Sequence, residues 1–253
     1  MPVSIKNIKI DSYTLPVMII KLKANNIISI PSQIGCAVNC DFCISKNSKF
    51  VRNLKSLELE YLAQSCLDNY SMISFTGEGE PILNIENINS AIKNLDSHKL
   101  ISDFRICMSG IKADNLNLLE PSSKPIDLQF SLHSPFDETR KSLIQHTKNI
   151  DYILENISNN ESKFREVSVN YVLMENINDH VRDLEKLIEI IPQNWTIKLN
   201  PLLDENEKYK QSKNHDLFYE KLSKVFNVKM FSKIGSTIKN NFYEQLTYDK
   251  VNQ

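Results

Sequence analysis

Short runs of β-branched and apolar residues alternate along the chain with longer stretches that carry apolar residues at helical spacing. Such a run at Ile27–Ser32 leads into a cysteine-rich loop, and helical spacing follows over Leu57–Asn69. The further predicted strands are Met72–Phe75, Phe104–Met108, Ile126–Leu132, Val167–Leu173 and Trp195–Leu199, and the further predicted helices are Ile85–Leu95, Ala113–Leu119, Asp137–Leu143, Ile150–Ile157 and Val181–Ile191. This alternation is typical of a parallel sheet with crossover helices. Six β-then-α units predict an α/β fold, an open partial (β/α)6 barrel rather than the closed eightfold one.

The two flanks of this region have a different pattern. Met18–Lys23 with the Asn25-Asn26 turn signal predicts a small N-terminal β hairpin. After the barrel, a polar stretch is followed by a predicted helix at Leu217–Phe226 and a predicted strand at Val228–Phe231. The predicted domains are an N-terminal β extension (1–26), the partial barrel (27–201) and a C-terminal α/β extension (202–253).

Composition limits the classes of partner. Lys and Arg number 30 and Asp and Glu number 31 in the 253 residues, whereas nucleic-acid binders usually carry a basic excess. No apolar run reaches the length of about 18 residues that a membrane span needs. The N-terminus lacks the basic and apolar regions of a signal peptide, so a cytoplasmic protein without membrane partners is expected.

Three of the five cysteines lie within eight residues, as Cys36, Cys40 and Cys43, with the spacing C-x3-C-x2-C. Clustered cysteines in a reducing compartment indicate metal ligation rather than disulfides. Three thiolates can ligate three irons of a [4Fe–4S] cluster and leave the fourth iron open to a substrate. A zinc site is the alternative, but zinc normally takes four ligands, and no second C-x2-C motif is present.

A glycine-containing loop, Thr76-Gly77-Glu78-Gly79-Glu80-Pro81, follows the predicted strand that ends at Phe75. The chain has only five glycines, so two in one loop suggest that the backbone there must be accessible. The Glu80 carboxylate can accept hydrogen bonds from an ammonium group. S-adenosylmethionine (SAM) has an amino-acid end that could contact both this loop and an open iron.

Several motifs occur in one order along the chain. They are the cysteine loop, Phe50-Val51-Arg52-Asn53-Leu54, the Gly79-Glu80-Pro81 loop, Met108-Ser109-Gly110-Ile111, Phe130-Ser131-Leu132-His133-Ser134-Pro135 and Leu199-Asn200-Pro201. Together these motifs resemble the radical SAM family of dual-specificity RNA methyltransferases (RlmN and Cfr) over roughly residues 28–246. The resemblance implies a [4Fe–4S] cluster and SAM as cofactors.

The resemblance also implies which residues contact SAM. Gly79 and Glu80 would hold its amino end, and Asn200 would lie near its adenosine. The whole implied cofactor-binding set is Gly79, Glu80, Ser109, Ser131, Leu132, His133 and Asn200. Independently of the family, these positions lie at or just beyond the carboxyl ends of predicted strands, where parallel α/β folds bind ligands.

The sequence departs from that family in its methyl-carrying machinery. Only 35 residues precede Cys36, where the family has an RNA-binding extension that also holds a second, resolving cysteine. Phe242, within Ile234–Leu246, falls where the methyl-carrying cysteine should be, and no cysteine follows Cys107. A methyl group carried by sulfur needs a thiolate, so we expect this mechanism to be lost.

Some polar side chains on predicted inward positions are candidates for the reaction itself. Cys107 shares strand parity with Ser109, and Lys198 shares it with Asn200. The candidate catalytic residues are Glu78, Cys107, Asn170 and Lys198, with Arg105, Gln129 and Tyr171 as weaker ones. The alternative is core filling for Cys107 and a solvated rim position for the others, and Cys66 is expected to be a small core residue on a helix.

The prediction is a radical SAM enzyme that forms a 5′-deoxyadenosyl radical and modifies a small-molecule, nucleotide or peptide substrate. A reducing partner such as flavodoxin or ferredoxin is expected, and RNA is the less favoured substrate. Two alternatives stay open: an RlmN/Cfr-like RNA methyltransferase that works with a partner, and a non-catalytic regulatory protein that binds the cluster or SAM. The outcome of the reaction, whether methylation, rearrangement, cyclisation or oxidation, also stays open.

Overall fold

A computed structural model describes residues 3–203 and 206–231. In that part of the chain, nine strands form one sheet in the order β1-β2-β3-β6-β7-β8-β9-β10-β11, and a short β4–β5 pair stands apart from it. The strands are β1 (Val3–Ile10), β2 (Tyr13–Lys21), β3 (Asn26–Ile30), β4 (Gln33–Ile34), β5 (Arg52–Asn53), β6 (Ser71–Phe75), β7 (Ile101–Met108), β8 (Ile126–Ser131), β9 (Glu166–Val172), β10 (Thr196–Asn200) and β11 (Asn227–Met230). All neighbours from β3 to β11 are parallel. The predicted parallel partial barrel is confirmed.

Helices connect the parallel strands and cover the outer face of the sheet. They are α1 (Ser56–Gln64), α2 (Ile85–Leu95), α3 (Asp137–Leu143), α4 (Ile150–Asn159), α5 (Val181–Ile190) and α6 (His215–Leu222). The stretch predicted as a helix from Ala113 is a 3₁₀ helix, Ala113–Leu118. No helix among the described residues is both long and apolar enough to cross a membrane.

The N-terminal segment extends the same sheet. β1 and β2 form an antiparallel hairpin, paired from Val3 and Ile20 to Ile10 and Tyr13, whose turn places Asp11 at a φ of 54°. β2 then pairs antiparallel with β3, so the predicted turn at Asn25 connects β2 to the barrel. At the other edge, β11 pairs with β10 in parallel.

The two faces of the sheet differ in polarity. On β7, Phe104, Ile106 and Met108 pack in the main core, whereas Arg105 and Cys107, which alternate with them, line a cavity on the inner face. The same alternation applies on β8, β9 and β10. In a closed barrel, layers of apolar side chains fill the interior. The polar side chains on this inner face do not form such layers, so the inside of this open barrel is available to ligands.

Candidate active site

The three clustered cysteines lie in a loop between β4 and β5, at the carboxyl ends of the sheet strands. The Cys36 N–H donates to Ser48 O at 3.2 Å, which closes the loop. Gly35 has a φ of +72°, and a Cβ at this position would collide with the carbonyl of Lys49. Cys36, Cys40 and Cys43 are free, partly exposed thiols.

Burial and the closeness of the three thiols both disfavour their ionisation. Burial raises the pKa of all three thiols, and Cys43 and Cys36 raise the pKa of Cys40 further. The Ser45 N–H donates to Cys43 Sγ at 3.4 Å. Iron ligation would offset the cost of ionising these thiols, since metal binding displaces their protons. Hydrogen bonds to sulfur also tune iron–sulfur clusters.

An apolar shell surrounds the loop. Cys36, Cys40 and Phe42 pack against a small buried cluster made of Val38, Leu143, Ile144, Met174, Leu202 and Tyr209. In the described part of the chain, no group of three His, Cys, Asp or Glu side chains is arranged to hold a single metal ion. In a cubane each cysteine ligates its own iron, so the donor set and its apolar shell suit a [4Fe–4S] cluster.

The glycine-containing loop lies directly against the cysteine loop. Gly79 has a φ of +98°, and an added Cβ would come within 2.7 Å of Gln33 Cβ and Ser32 Oγ. Gln33 Oε1 accepts from the N–H of Glu80 at 3.1 Å and from the N–H of Ala37 at 3.3 Å. Gln33 thus links the two loops, a role that sequence reasoning missed, and a polar residue two positions before Gly35 was its only signal.

The side chain of Glu80 is buried beneath the strand ends. The Ser109 N–H donates to both carboxylate oxygens, at 3.0 and 3.1 Å, and burial raises the pKa of Glu80 to about 7. This carboxylate therefore has a backbone partner, and it joins the ends of β6 and β7. Glu78 is also buried, and its backbone carbonyl accepts from the N–H of Ser32 at 3.0 Å.

A buried arginine joins the next strand ends. Arg140 of α3 donates to Ser131 O at 3.1 Å, to Leu132 O at 2.7 Å and to Ser109 O. Its guanidinium lies 5.1 Å from the centre of the Phe130 ring. Burial lowers the pKa of Arg140 to about 10, while Cys40 and Glu80 act in the opposite direction. The sequence did not indicate this role.

His133 and Leu132 follow β8 directly. His133 has a φ of 56°, its Nδ1 accepts from the N–H of Val172 at 3.1 Å, and its ring meets Phe42 edge-on at 4.9 Å. Burial, followed by the charge of Arg140, lowers the pKa of His133 to about 3, so the ring is neutral with its proton on Nε2. Leu132 packs its side chain in the main core and offers only its backbone to the site.

A cavity of about 370 Å³ opens beside the cysteine loop and is lined by Cys43, Thr76 and Gly77 on one side. Asn170 and Asn200 form part of its wall, and Asn200 Nδ2 donates to Asn170 Oδ1 and to Lys198 O. Cavities of this size bind small molecules.

A second cavity of about 400 Å³ lies on the inner face of the sheet and is lined by most of the candidate catalytic residues, but not by Glu78. Cys107, Asn170 and Lys198 line it together, with Arg105 and Gln129. The two cavities share the lining residues Met18, Thr76, Asn170, Asn200 and Phe231. Sequence-predicted residues from four strands therefore line two adjoining cavities.

Other sequence-predicted positions lie elsewhere. Tyr171 faces the core on the opposite side of β9, donating to Asn178 O at 2.8 Å and stacking on Phe218. Cys66 is buried just after α1. The segment Ile234–Leu246, with Phe242, lies outside the described residues.

Sequence comparison identifies related proteins of known type. The family model of the radical SAM superfamily matches residues 30–189. A probable dual-specificity RNA methyltransferase RlmN of Aquifex aeolicus is 30% identical over 194 residues, which cover 72% of this chain and 56% of that protein. The RlmN of Helicobacter pylori is 29% identical over 207 residues, with 72% and 58% covered. The chain thus spans less than two thirds of the length of these relatives.

Solved structures show the same fold. A radical SAM methyltransferase from Sphaerobacter thermophilus superposes with a TM-score of 0.79 at 19% identity, covering 94% of this chain and 79% of that one. SuiB of Streptococcus suis, bound to SAM, superposes with a TM-score of 0.57 at 18% identity, covering 81% and 52%. Because the family model matches more than half of the chain, and the fold and cysteine loop agree with it, the chain belongs to the radical SAM superfamily.

Proposed function

We propose that the protein is a radical SAM enzyme in which Cys36, Cys40 and Cys43 hold a [4Fe–4S] cluster. SAM then occupies the cavity beside Cys43, and a substrate occupies the adjoining cavity on the inner face of the sheet. One observation carries this proposal: a loop with three free thiols borders a cavity through Cys43, and this cavity adjoins a polar cavity on the inner face of the sheet, in a member of this superfamily.

A cluster held by these cysteines would, when reduced, supply the electron for cleavage of SAM to methionine and a 5′-deoxyadenosyl radical, and this radical would take a hydrogen atom from the substrate. The residues of this chain position and shield the site. Gln33 ties the cysteine loop to the glycine loop, and Arg140 fixes the ends of β7 and β8. Phe42 and Leu202 give the cavity apolar walls that exclude water.

The proposed SAM contacts follow the strand ends. Asn200 lies on the cavity wall and can meet SAM with its side chain. Ser131 ends β8 and His133 follows it, and Gly79 exposes backbone beside the cysteine loop. Glu80 and Ser109 are bonded to each other, so we assign them to shaping the pocket as well as to holding the amino end of SAM.

Anaerobic reconstitution tests the cluster. The wild-type protein should hold about four irons with broad visible absorbance, and Cys36→Ala, Cys40→Ala and Cys43→Ala should each abolish it. Cys66→Ala is the matched control, because Cys66 packs in the main core and not in the cluster around the loop, so this variant should leave the iron content unchanged. Full iron retention in all three loop variants would refute the assignment, and zinc in metal analysis would restore the zinc alternative.

Turnover is tested separately. Reconstituted protein, dithionite and SAM should yield 5′-deoxyadenosine by chromatography. A reducing protein such as flavodoxin or ferredoxin should replace dithionite. A stable cluster and bound SAM without 5′-deoxyadenosine would instead favour the non-catalytic regulatory protein.

The RNA methyltransferase relatives suggest a second candidate, a methyl transfer through a protein thiolate. The two cysteines outside the loop, Cys66 and Cys107, are buried, and burial raises the pKa of both thiols. Such thiols react poorly, so we expect no methylcysteine after incubation with methyl-labelled SAM. A label on Cys107 by mass spectrometry, with activity lost in Cys107→Ala, would overturn the radical-abstraction proposal.

A further inference from the structure

The cavity on the inner face of the sheet has a cationic wall. Arg105 of β7, Lys198 of β10 and Lys229 of β11 line it, and no carboxylate side chain is among its described lining residues. The opposite wall is apolar and comes from β2 and β3, with Met18, Ile20 and Ile27. The sheet is curved enough for strands near both of its ends to border this one space.

Lys198 is the least compensated of these cations. Lys198 is only 4% exposed, and its Nζ donates to Gln129 Oε1 at 3.1 Å. In residues 3–203 and 206–231, no carboxylate forms an ion pair with it, although an ammonium group has three protons to donate. A buried charge without an ionic partner is costly, and buried charges are normally paired.

The nearby carboxylates are committed to other cations. Arg165 binds Asp103 at 2.6 Å and Asp127 at 2.8 Å, while Arg105 lies farther from Asp127, at 3.6 Å. Glu166 binds Lys229 at 2.9 Å. The acidic groups thus lie toward the beginnings of the strands, and the positive potential of Lys198 and Arg105 is directed into the cavity.

We propose that this cavity binds the anionic group of a small substrate, a carboxylate or a phosphate, through Lys198, Gln129 and Arg105. The apolar wall on β2 and β3 then packs against the body of the same molecule, and its reacting part reaches the cavity beside Cys43. A volume of about 400 Å³ suits a small molecule rather than a polymer. That the bound anion is a substrate rests on the proposed function, whereas the anion site itself does not.

Binding of model anions to the reconstituted protein tests the site at about pH 7, where a lysine ammonium persists. The probes are phenylphosphate and phenylacetate, with phenylacetamide as the neutral isostere, and calorimetry measures affinity. At least one anion should bind at least tenfold more tightly than phenylacetamide, since a charge-assisted bond is worth a factor of at least ten. Tighter binding of phenylphosphate alone would indicate a phosphate substrate, and tighter binding of phenylacetate alone would indicate a carboxylate substrate.

Variants locate the binding. Lys198→Met should weaken anion binding at least tenfold, and Lys198→Arg should restore most of it. Lys224→Met is the matched control, because the Lys224 side chain is 62% exposed and should not matter. Equal anion binding by wild type and Lys198→Met would overturn the proposal. Failure of both phenylphosphate and phenylacetate to bind the wild type more tightly than phenylacetamide would also overturn it, and that comparison needs no variant.

Iron content, SAM affinity and 5′-deoxyadenosine formation separate this proposal from the proposed function. If Lys198→Met loses SAM affinity together with anion affinity, the cavity belongs to the SAM site, and the anion-site proposal is wrong while the enzyme proposal stands. If the wild type binds the anions but forms no 5′-deoxyadenosine, the enzyme proposal fails and the anion site remains.

Discussion

Replacing Arg140 by Met should destabilise the protein more than almost any other single change at the site. The guanidinium is fully buried and donates to the backbone carbonyls of Ser109, Ser131 and Leu132. A hydrogen bond from a charged donor contributes about 1.5–3 kcal/mol, and the lost bonds would leave buried acceptors unsatisfied. Met fills much of the same volume, so the substitution removes the bonds without leaving a large cavity.

The expected magnitude is a decrease of about 3–5 kcal/mol in the free energy of unfolding, the range found when a buried charge network loses one partner. The sum of the separate bonds would be larger, but removing Arg140 also removes the cost of burying its charge. Urea unfolding of the apoprotein, followed by circular dichroism, measures the change without a contribution from bound cluster. Arg140→Lys keeps the charge but loses the planar guanidinium with its several N–H donors, so its decrease in the free energy of unfolding should be intermediate.

Arg182→Met is the control for this measurement. The Arg182 guanidinium also lies over an aromatic ring, that of Phe136 at 5.4 Å, but the residue is exposed. Its replacement should change the free energy of unfolding by less than about 1 kcal/mol. A loss below about 1 kcal/mol in Arg140→Met as well would refute the view that this arginine holds the strand ends together.

Three further predictions concern the loops and the cavity. Gly79→Ala should lower iron retention and destabilise the protein by about 1–3 kcal/mol, because its φ of +98° and the contact with Gln33 exclude a Cβ; unchanged iron and unfolding midpoint would contradict this. Asn200→Ala should weaken SAM binding at least tenfold in calorimetry while the iron content stays the same; unchanged affinity would remove it from the SAM site. Burial, with the charge of Arg105, lowers the pKa of Lys198 to about 8, so affinity for whichever of phenylacetate and phenylphosphate binds should be high at about pH 7 and fall as the pH rises through that value. The charged and titratable side chains around Lys198 are Arg105, Cys107, Glu166 and Lys229. A flat profile between about pH 6 and 10 would exclude Lys198 as the anion ligand.

The order of strands and helices could be predicted because the buried strands of a parallel sheet are short apolar runs. α2 and α3 begin and end where the periodicity placed them. β7 begins at Ile101, three residues before the predicted start at Phe104. The prediction was late because the polar residues Ser102 and Asp103 interrupt the apolar run. Asp103 faces Arg165 on the inner side of the barrel, so its polarity reflects the polar interior rather than a loop.

The positions of the candidate site residues could be predicted where these residues are close in sequence, follow a strand or alternate along one. The cysteine loop and the strand-end residues met those conditions. Gln33 and Arg140 did not, because their partners are backbone groups of loops and strands that only folding brings together. The shortage of carboxylates around Lys198 was likewise not visible, since it depends on which cation each Asp and Glu pairs with.

One acceptor atom, Gln33 Oε1, serves the N–H groups of Ala37 in the cysteine loop and of Glu80 in the glycine loop. The two loops therefore cannot settle into their positions independently. In thermodynamic terms this would be a linkage: an iron cluster that ordered one loop would lower the cost of ordering the other for SAM, and SAM would favour cluster retention by the same factor. Disturbing the amide of Gln33 should weaken that coupling free energy, so that cluster and SAM come closer to binding as separate ligands.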